Sequence, residues 1–518
     1  MNLKQATYFL VIVFLSGACS HCFSQDKGVN FNNSTQLGQT LSEPYANLLD
    51  FNPIVGSPDT IQNGYPLEIL GRINNNYYAD FDCSFFNDQI ELVKYDNLLR
   101  KANSAFIFRG MEDEFKDRDF EKVLLFGKQL FMFTTGQTKT QQGGYANNLY
   151  VEPVNNETLK SGGKKTILEN NIPTKAKAAY FFELSPDSSR LAVVCFTETA
   201  NKDTINGKLI VVDKDFNILW QSPVQLPYRF ADIDAEEQTP QLKMMLRQDG
   251  KFYILAPNSN SKVPYCALYT YTNTGNVKKI MLDEKADNIV KDVQFYFEDK
   301  HITFTGLYIQ NDEFAEVQGT FFYRYNLAVD SFELRKLYPD SGIDNRFSVY
   351  KVLNTEDGGS LLVLTKMQKE KYPKKGAQAY STTEGGGSLT SLIKKRKEKY
   401  PQKDASAYLY QDIVALKRNA QGQTEWKATV PSSINRDKEG IVALFKKGRL
   451  FTVFSADGKM YISVINNDGS PGPSKPIWYN YQFEIAPQYS AVVRGKMMLY
   501  VNRVSTSPVK VYGLLRLL

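Results

Sequence analysis

The chain has 518 residues, 62 Lys and Arg against 56 Asp and Glu, and a formal net charge of +6. Two histidines and five cysteines exclude a zinc centre built from several imidazoles and a disulfide-dense scaffold. The length suffices for a large core without staples, and the 31 Tyr and 33 Phe favour strands.

Residues 1–24 read as an export signal. Lys4 gives a positive start, and Tyr8 to Leu15 is an apolar run too short to span a bilayer. Small residues follow, and cleavage after Ala18 or Ser24 releases a soluble protein. The alternative is lipidation of Cys19: Leu15-Ser16-Gly17-Ala18-Cys19 resembles a lipobox, with Ser16 where an aliphatic residue is usual. The expected location is the periplasm, the outer membrane or the exterior, and no later stretch approaches the ~20 apolar residues of a membrane span. Residues 25–66, rich in Asn, Ser, Gly and Pro, read as an irregular N-terminal arm. Cys83, Cys195 and Cys266 are odd in number and widely spaced, so thiols are expected.

From Leu67 to Leu518 the pattern is all-β. LEILGRI, YYADFDCSFF and IELVKY come first. A turn carrying Gly or Asp then precedes an apolar or alternating strand at Gly127, Asp187, Gly250, Asp299, Gly358, Gly448 and Gly495. The intervals are 60, 63, 49, 59, 90 and 47 residues, and most units add a second strand pair around another turn. The stretch from Phe182 to Trp220 shows the unit most fully. Ser185-Pro186-Asp187-Ser188 is a turn, Leu191 to Phe196 reads as a strand covered on both faces, and Leu209–Val212 turns at Asp213-Lys214-Asp215 into Ile218-Leu219-Trp220. Trp220, Trp426 and Trp478 follow second turns, where packing between neighbouring units is expected.

The SPD…RLAVV strand followed by D-x-D…ILW resembles a blade of the TolB-type or WD-repeat-like secreted bacterial β-propellers. The resemblance implies a single propeller over residues 67–518, of seven blades, with six or eight as the alternatives. The strands near Leu67–Tyr95 are expected to close the ring, since an unfinished blade leaves an open edge. A propeller is a scaffold and does not itself define an activity.

The 90-residue interval holds a basic insertion, Lys366 to Lys403, with 11 Lys and Arg against 3 Glu, a net of +8. The remainder of the chain therefore sums to −2, so the basic balance belongs to one segment. KEKYPKKGAQAY from Lys369 returns as KEKYPQKDASAY from Lys397, with nine of twelve positions identical. Ser388 suits the cap of a short helix with Leu389, Leu392 and Ile393 on one side. Lys394, Lys395, Arg396, Lys397 and Lys399 follow and are the candidate binding residues for an anionic surface; the competing reading is a solvated loop.

No residue stands out as catalytic, and no cofactor is expected. His301, the one histidine beyond the export signal, reads as a satisfied strand residue. Ser391-Leu392-Ile393-Lys394 matches S-x-x-K in letters without the partner motifs that chemistry needs. Asp232, Asp234 and Glu236 share one face of a strand if one forms there and are the candidate cation ligands, against a solvated acidic loop. The expected function is an exported, non-catalytic binding or scaffold protein of the bacterial cell envelope. It engages a protein or glycan through its loops, with no nucleic acid and no membrane span, a lipid anchor being the alternative. The rival is a carbohydrate-active enzyme, a glycoside hydrolase or lyase, using Asp, Glu and Tyr in the central pocket. Mass spectrometry of the mature N-terminus is expected to show loss of residues 1–18 or 1–24, and a diacylglyceryl Cys19 selects the anchored form. Intact Met1 on cytosolic protein contradicts export.

Overall fold

In a computed structural model of the chain, the described residues are 49–55 and, with gaps, 65–517, the longest gap being 370–407. Every element among them is a strand. Seven blades follow one another, each a four-stranded antiparallel sheet of consecutive strands: residues 65–108, 118–172, 178–226, 243–281, 288–339, 347–435 and 441–477. An eighth sheet joins the two ends of the chain. Lys496–Arg503 pairs Phe483–Ile485, Ala491–Val493 and Val509–Leu517, and Val509–Leu517 pairs Leu49–Val55. This closing sheet touches blade 7 on one side and the first strand of blade 1 on the other, which completes a ring. The protein is an all-β propeller.

Residues of opposite parity on the middle strands join opposite neighbours. Leu191, Val193 and Cys195 pack with Leu149, Val151 and Phe133 of blade 2, whereas Ala192, Val194 and Phe196 pack with Leu246, Phe252 and Ile254 of blade 4. Successive side chains of a strand point to opposite faces, and here both faces are covered, so the strand must be apolar throughout. The same division places Phe252 and Ile254 toward blade 3 and Tyr253 and Leu255 toward blade 5. Each interface thus combines alternate residues from two blades. Outer strands face solvent on alternate residues, as in Ile218–Leu226, where Gln221, Pro223 and Gln225 are exposed and Ser222, Val224 and Leu226 are buried.

The turns are built as their sequences require. Ser188 adopts φ +51°, its amide donates to the Ser185 carbonyl at 2.7 Å, and the Ser185 hydroxyl donates to Asp187 at 2.7 Å. Asp213 accepts from the amides of Asp215 and Asn217 at 2.9 and 2.8 Å, which makes this acidic stretch a hairpin turn. Trp426 bridges blades 6 and 7: Nε1 donates to the Asn467 carbonyl at 2.8 Å, and a Cβ on Gly469 would lie 2.6 Å from the ring system. Trp220 packs into the cluster between blades 3 and 4. Trp478 lies outside the described residues.

Two expectations change. The strands near Leu67–Tyr95 do not close the ring; with Lys101–Phe108 they form blade 1, whose first turn carries Asn74 at φ +51°. Closure falls to Leu49–Val55, a strand within the segment read as an irregular arm. The basic insertion also begins later than its composition implies. Ser360–Lys369 and Tyr408–Arg418 are paired, Lys369 directly opposite Tyr408, so residues 370–407 connect adjacent strand ends within blade 6.

Because those ends are cross-strand neighbours, replacing residues 370–407 with a short turn is expected to preserve the ring. Shortening such a loop changes closure entropy by only about 0.6 kcal/mol per halving of length. The thermal midpoint of the deleted protein should stay within ~3 °C of wild type. Loss of cooperative unfolding contradicts this placement.

Candidate functional site

An open cleft lies between blades 5 and 6. It has a volume of about 580 Å³ and is lined by Phe297, Glu298, Lys300, His301, Asn354, Thr355 and Gly358. These residues come from the turns joining the first two strands of each blade, so the cleft opens on the rim where those turns emerge. Gly358 holds φ +73°, and its amide donates to the Thr355 carbonyl at 3.0 Å, which shapes the blade 6 wall. On the blade 5 wall the Phe297 ring packs at a tilt against Tyr253, 4.5 Å between centroids and 53° between planes, with the Arg247 guanidinium 5.1 Å from its centroid.

Glu298 and His301 of the cleft are tied to Arg324 and Glu333 beside it. His301 Nε2 lies 2.9 Å from Glu333, and its Nδ1 lies 3.2 Å from Arg324 Nη2. Arg324 Nη2 also donates to Glu298 at 2.5 Å, while Nη1 reaches the Ala420 carbonyl of blade 6 at 2.9 Å. Asn326 donates to Glu333, and that bond together with the neighbouring His301 holds the Glu333 carboxyl below the usual range. The imidazole therefore has both nitrogens engaged, as a satisfied strand histidine should. It is not a free general base.

A second group of ionisable residues lies on and beside the inner strands of blades 1–3. Lys122 pairs with Glu68 at 2.8 Å, and Asp80 accepts from the Glu68 amide at 2.9 Å. Burial pushes Asp80 from 3.8 up to about 7, with the Glu68 charge adding to the rise. Burial likewise pushes Glu183 from 4.5 up to about 7, which Lys122 partly opposes. Tyr180, Cys195 and Glu121 lie close by, and burial raises the Cys195 thiol to about 11. Cys195 and Cys266 are buried thiols; Cys83 lies outside the described residues.

Lys394, Lys395, Arg396, Lys397 and Lys399, the acidic trio Asp232, Asp234 and Glu236, and Cys19 all lie outside the described residues. Among the described residues no three His, Cys, Asp or Glu side chains are grouped to hold a metal ion. Sequence reading passed over the cleft although its signal was there. In His301-Ile302-Thr303-Phe304-Thr305 the polar residues alternate with apolar ones on a strand covered on both faces, so one of those faces had to be polar.

No family model matches the chain, and no curated protein matches it in sequence. Among solved structures it is similar to the WD40 domain of SCAP from fission yeast, at 8% identity and TM-score 0.39, covering 92% of this chain and 96% of that one. It is also similar to the polysaccharide lyase Uly1, at 12% identity and TM-score 0.33, covering 75% and 88%. TolB from Acinetobacter baumannii matches at 13% identity and TM-score 0.25, covering 75% and 77%. The class of the protein rests on its own strand order, that of a β-propeller.

The raised carboxyls set a pH dependence. A folded-state pKa above the unfolded value means that the folded protein binds protons more tightly, so this stabilisation is complete below about pH 4 and is lost as pH rises through about 7. Asp80→Asn, which keeps the acceptor for the Glu68 amide, and Glu183→Gln should each raise stability at pH 8 by roughly 3–4 kcal/mol and change little at pH 4. Urea unfolding at the two pH values checks this; equal effects at both contradict it.

Proposed function

We propose that this protein is an exported, non-catalytic β-propeller of the bacterial cell envelope that binds a protein or glycan through its loop-bearing rim. The observation that carries this reading is the cleft between blades 5 and 6. It is of ligand-binding size, it presents an aromatic face, Lys300 and Asn354, and its one imidazole is locked between Glu333 and Arg324. Such a surface recognises; it does not offer an unengaged base. The signal-like residues 1–24 support export, and no helix of the described residues is long and apolar enough to cross a membrane. Lys394, Lys395, Arg396, Lys397 and Lys399 add a basic segment toward an anionic partner, and Cys19 a lipid anchor in the alternative processing. Asp232, Asp234 and Glu236 remain the cation ligands of the same proposal.

One observation favours the rival reading of a carbohydrate-active enzyme. Glu183, with a carboxyl titrating near neutrality beside Lys122 on the inner strands, has the properties of a general acid. A panel of bacterial polysaccharides, measured for both binding and cleavage, separates the two. The binding reading expects retention without product and at least a tenfold loss of affinity on Phe297→Ala with Lys300→Ala, since each change removes about 1 kcal/mol or more of contact. Product formation abolished by Glu183→Gln overturns it in favour of the enzyme.

A further inference from the structure

The interface between blades 5 and 6 is apolar at one end, where Leu307, Val317, Phe347, Leu362 and Leu416 cluster. Toward the cleft it is polar, and there hydrogen bonds join the blades. His301 stands at the start of one such chain. Its Nδ1 lies 3.2 Å from Arg324 Nη2, and a guanidinium only donates, so this nitrogen accepts and the ring carries its proton on Nε2, toward Glu333 at 2.9 Å. Arg324 Nη1 extends the chain to the Ala420 carbonyl of blade 6 at 2.9 Å, while Nη2 also donates to Glu298 at 2.5 Å. Ala420 lies in the turn at residues 419–423, which backs the cleft wall: a Cβ on Gly358 would lie 3.7 Å from the Ala420 Cβ. Lys336 and Tyr338 donate to the Gln421 and Gly422 carbonyls, so blade 5 grips this turn at three points. The grip through Arg324 is the one that leads back to a histidine.

A second proton cannot enter this arrangement unchanged. On Nδ1 it would set an N–H against the Arg324 guanidinium, with two positive groups 3.2 Å apart. The acceptor at hand is Glu298, whose Oε2 lies 3.8 Å from Nδ1. Of the other charges around the ring, Glu333 on the fourth strand favours the protonated form, and exposed Lys300 beside it opposes that form. On the blade 6 side Asp357 is held by Lys417 at 3.2 Å and by Thr355, and Arg247 of blade 4 lies against Phe297. In sequence, Asp299 and Glu356 flank the two turns of the cleft.

We propose that His301 is a proton-operated latch on the blade 6 wall of the cleft: the neutral ring holds Arg324 on the Ala420 carbonyl, and the protonated ring turns Nδ1 to Glu298 and releases Arg324. Imidazole is the side chain that ordinarily changes charge between pH 5 and 8. The wall is therefore fixed at pH 8 and loosened at pH 5. An occupant leaves as pH falls, since groups already held in place bind at a lower entropic cost. That last step rests on the cleft being a binding surface; the latch does not.

The test uses the full chain with isotopically labelled histidine. At pH 8 the His301 resonances should show the Nε2–H tautomer, and the Nδ1–H tautomer overturns the proposal without any variant. Amides of Gln421, Gly422 and Gln423 donate within the turn, so their hydrogen exchange reports its opening. Corrected for the intrinsic rate, it should be about tenfold faster at pH 5 than at pH 8, as loss of one charge-assisted hydrogen bond requires. His301→Gln, whose carboxamide can accept from Arg324 and donate to Glu333 without titrating, should stay slow at both pH values. Arg324→Gln should be fast at both. Both variants keep Asp80 and Glu183, so titration elsewhere in the ring cannot produce the difference. Equal wild-type exchange at the two pH values, or the same acid acceleration in His301→Gln, overturns the latch whatever the polysaccharide panel shows. Failure of that panel alone removes the binding reading and the release of an occupant, and leaves the latch standing.

Discussion

The structure depends on one packing rule. Each middle strand is covered on both faces and divides its residues by parity between the blade before it and the blade after it. Leu191 to Phe196 serves both interfaces of blade 3 at once. No blade could bury its apolar residues alone, so the ring must close, and the chain closes it by pairing Leu49–Val55 with Val509–Leu517. The tryptophan and glycine contacts at the turns fix how adjacent blades meet. Trp426 against Gly469 does so without room for a side chain on the glycine.

A departure from that rule lies beneath the candidate site. Between blades 5 and 6 the alternation persists, but at one end the facing residues are polar: Thr303, Thr305, Thr320, Ser360 and Arg418. The apolar end holds the blades together, and the polar end opens into the cleft of His301, Glu298 and Arg324. Paired charges in such a seam add less stability than apolar packing, because their mutual attraction is set against the loss of hydration. What they supply is a shaped, hydrogen-bonding surface with Phe297 at its edge.

Much of the fold was legible because period-2 patterning and turn chemistry are local. The turn at Asp187 and the apolar run that follows needed no knowledge of distant residues. Blade 1 was harder to place because its turn uses Asn74, outside the Gly and Asp pattern. Leu49–Val55 carries Asn52 and Pro53, and its partner lies at the other end of the chain, so no local signal marks it as a strand. The cleft was half legible. The alternation at His301, Thr303 and Thr305 was visible, but the pairing of His301 with Glu333, and of Arg418 with Thr320 from a different blade, depends on tertiary placement.

The central claim is that the junction of blades 5 and 6 has a polar end, unlike the apolar clusters on the two faces of Leu191 to Phe196. Native-state hydrogen exchange tests it most directly, since local opening reports how much buried contact holds each strand. Amides of Ile302 to Thr305, with Thr303 and Thr305 on one face, should exchange at least tenfold faster than those of Leu191 to Phe196, which are held by apolar packing on both faces. Equal protection of the two sets would contradict the account.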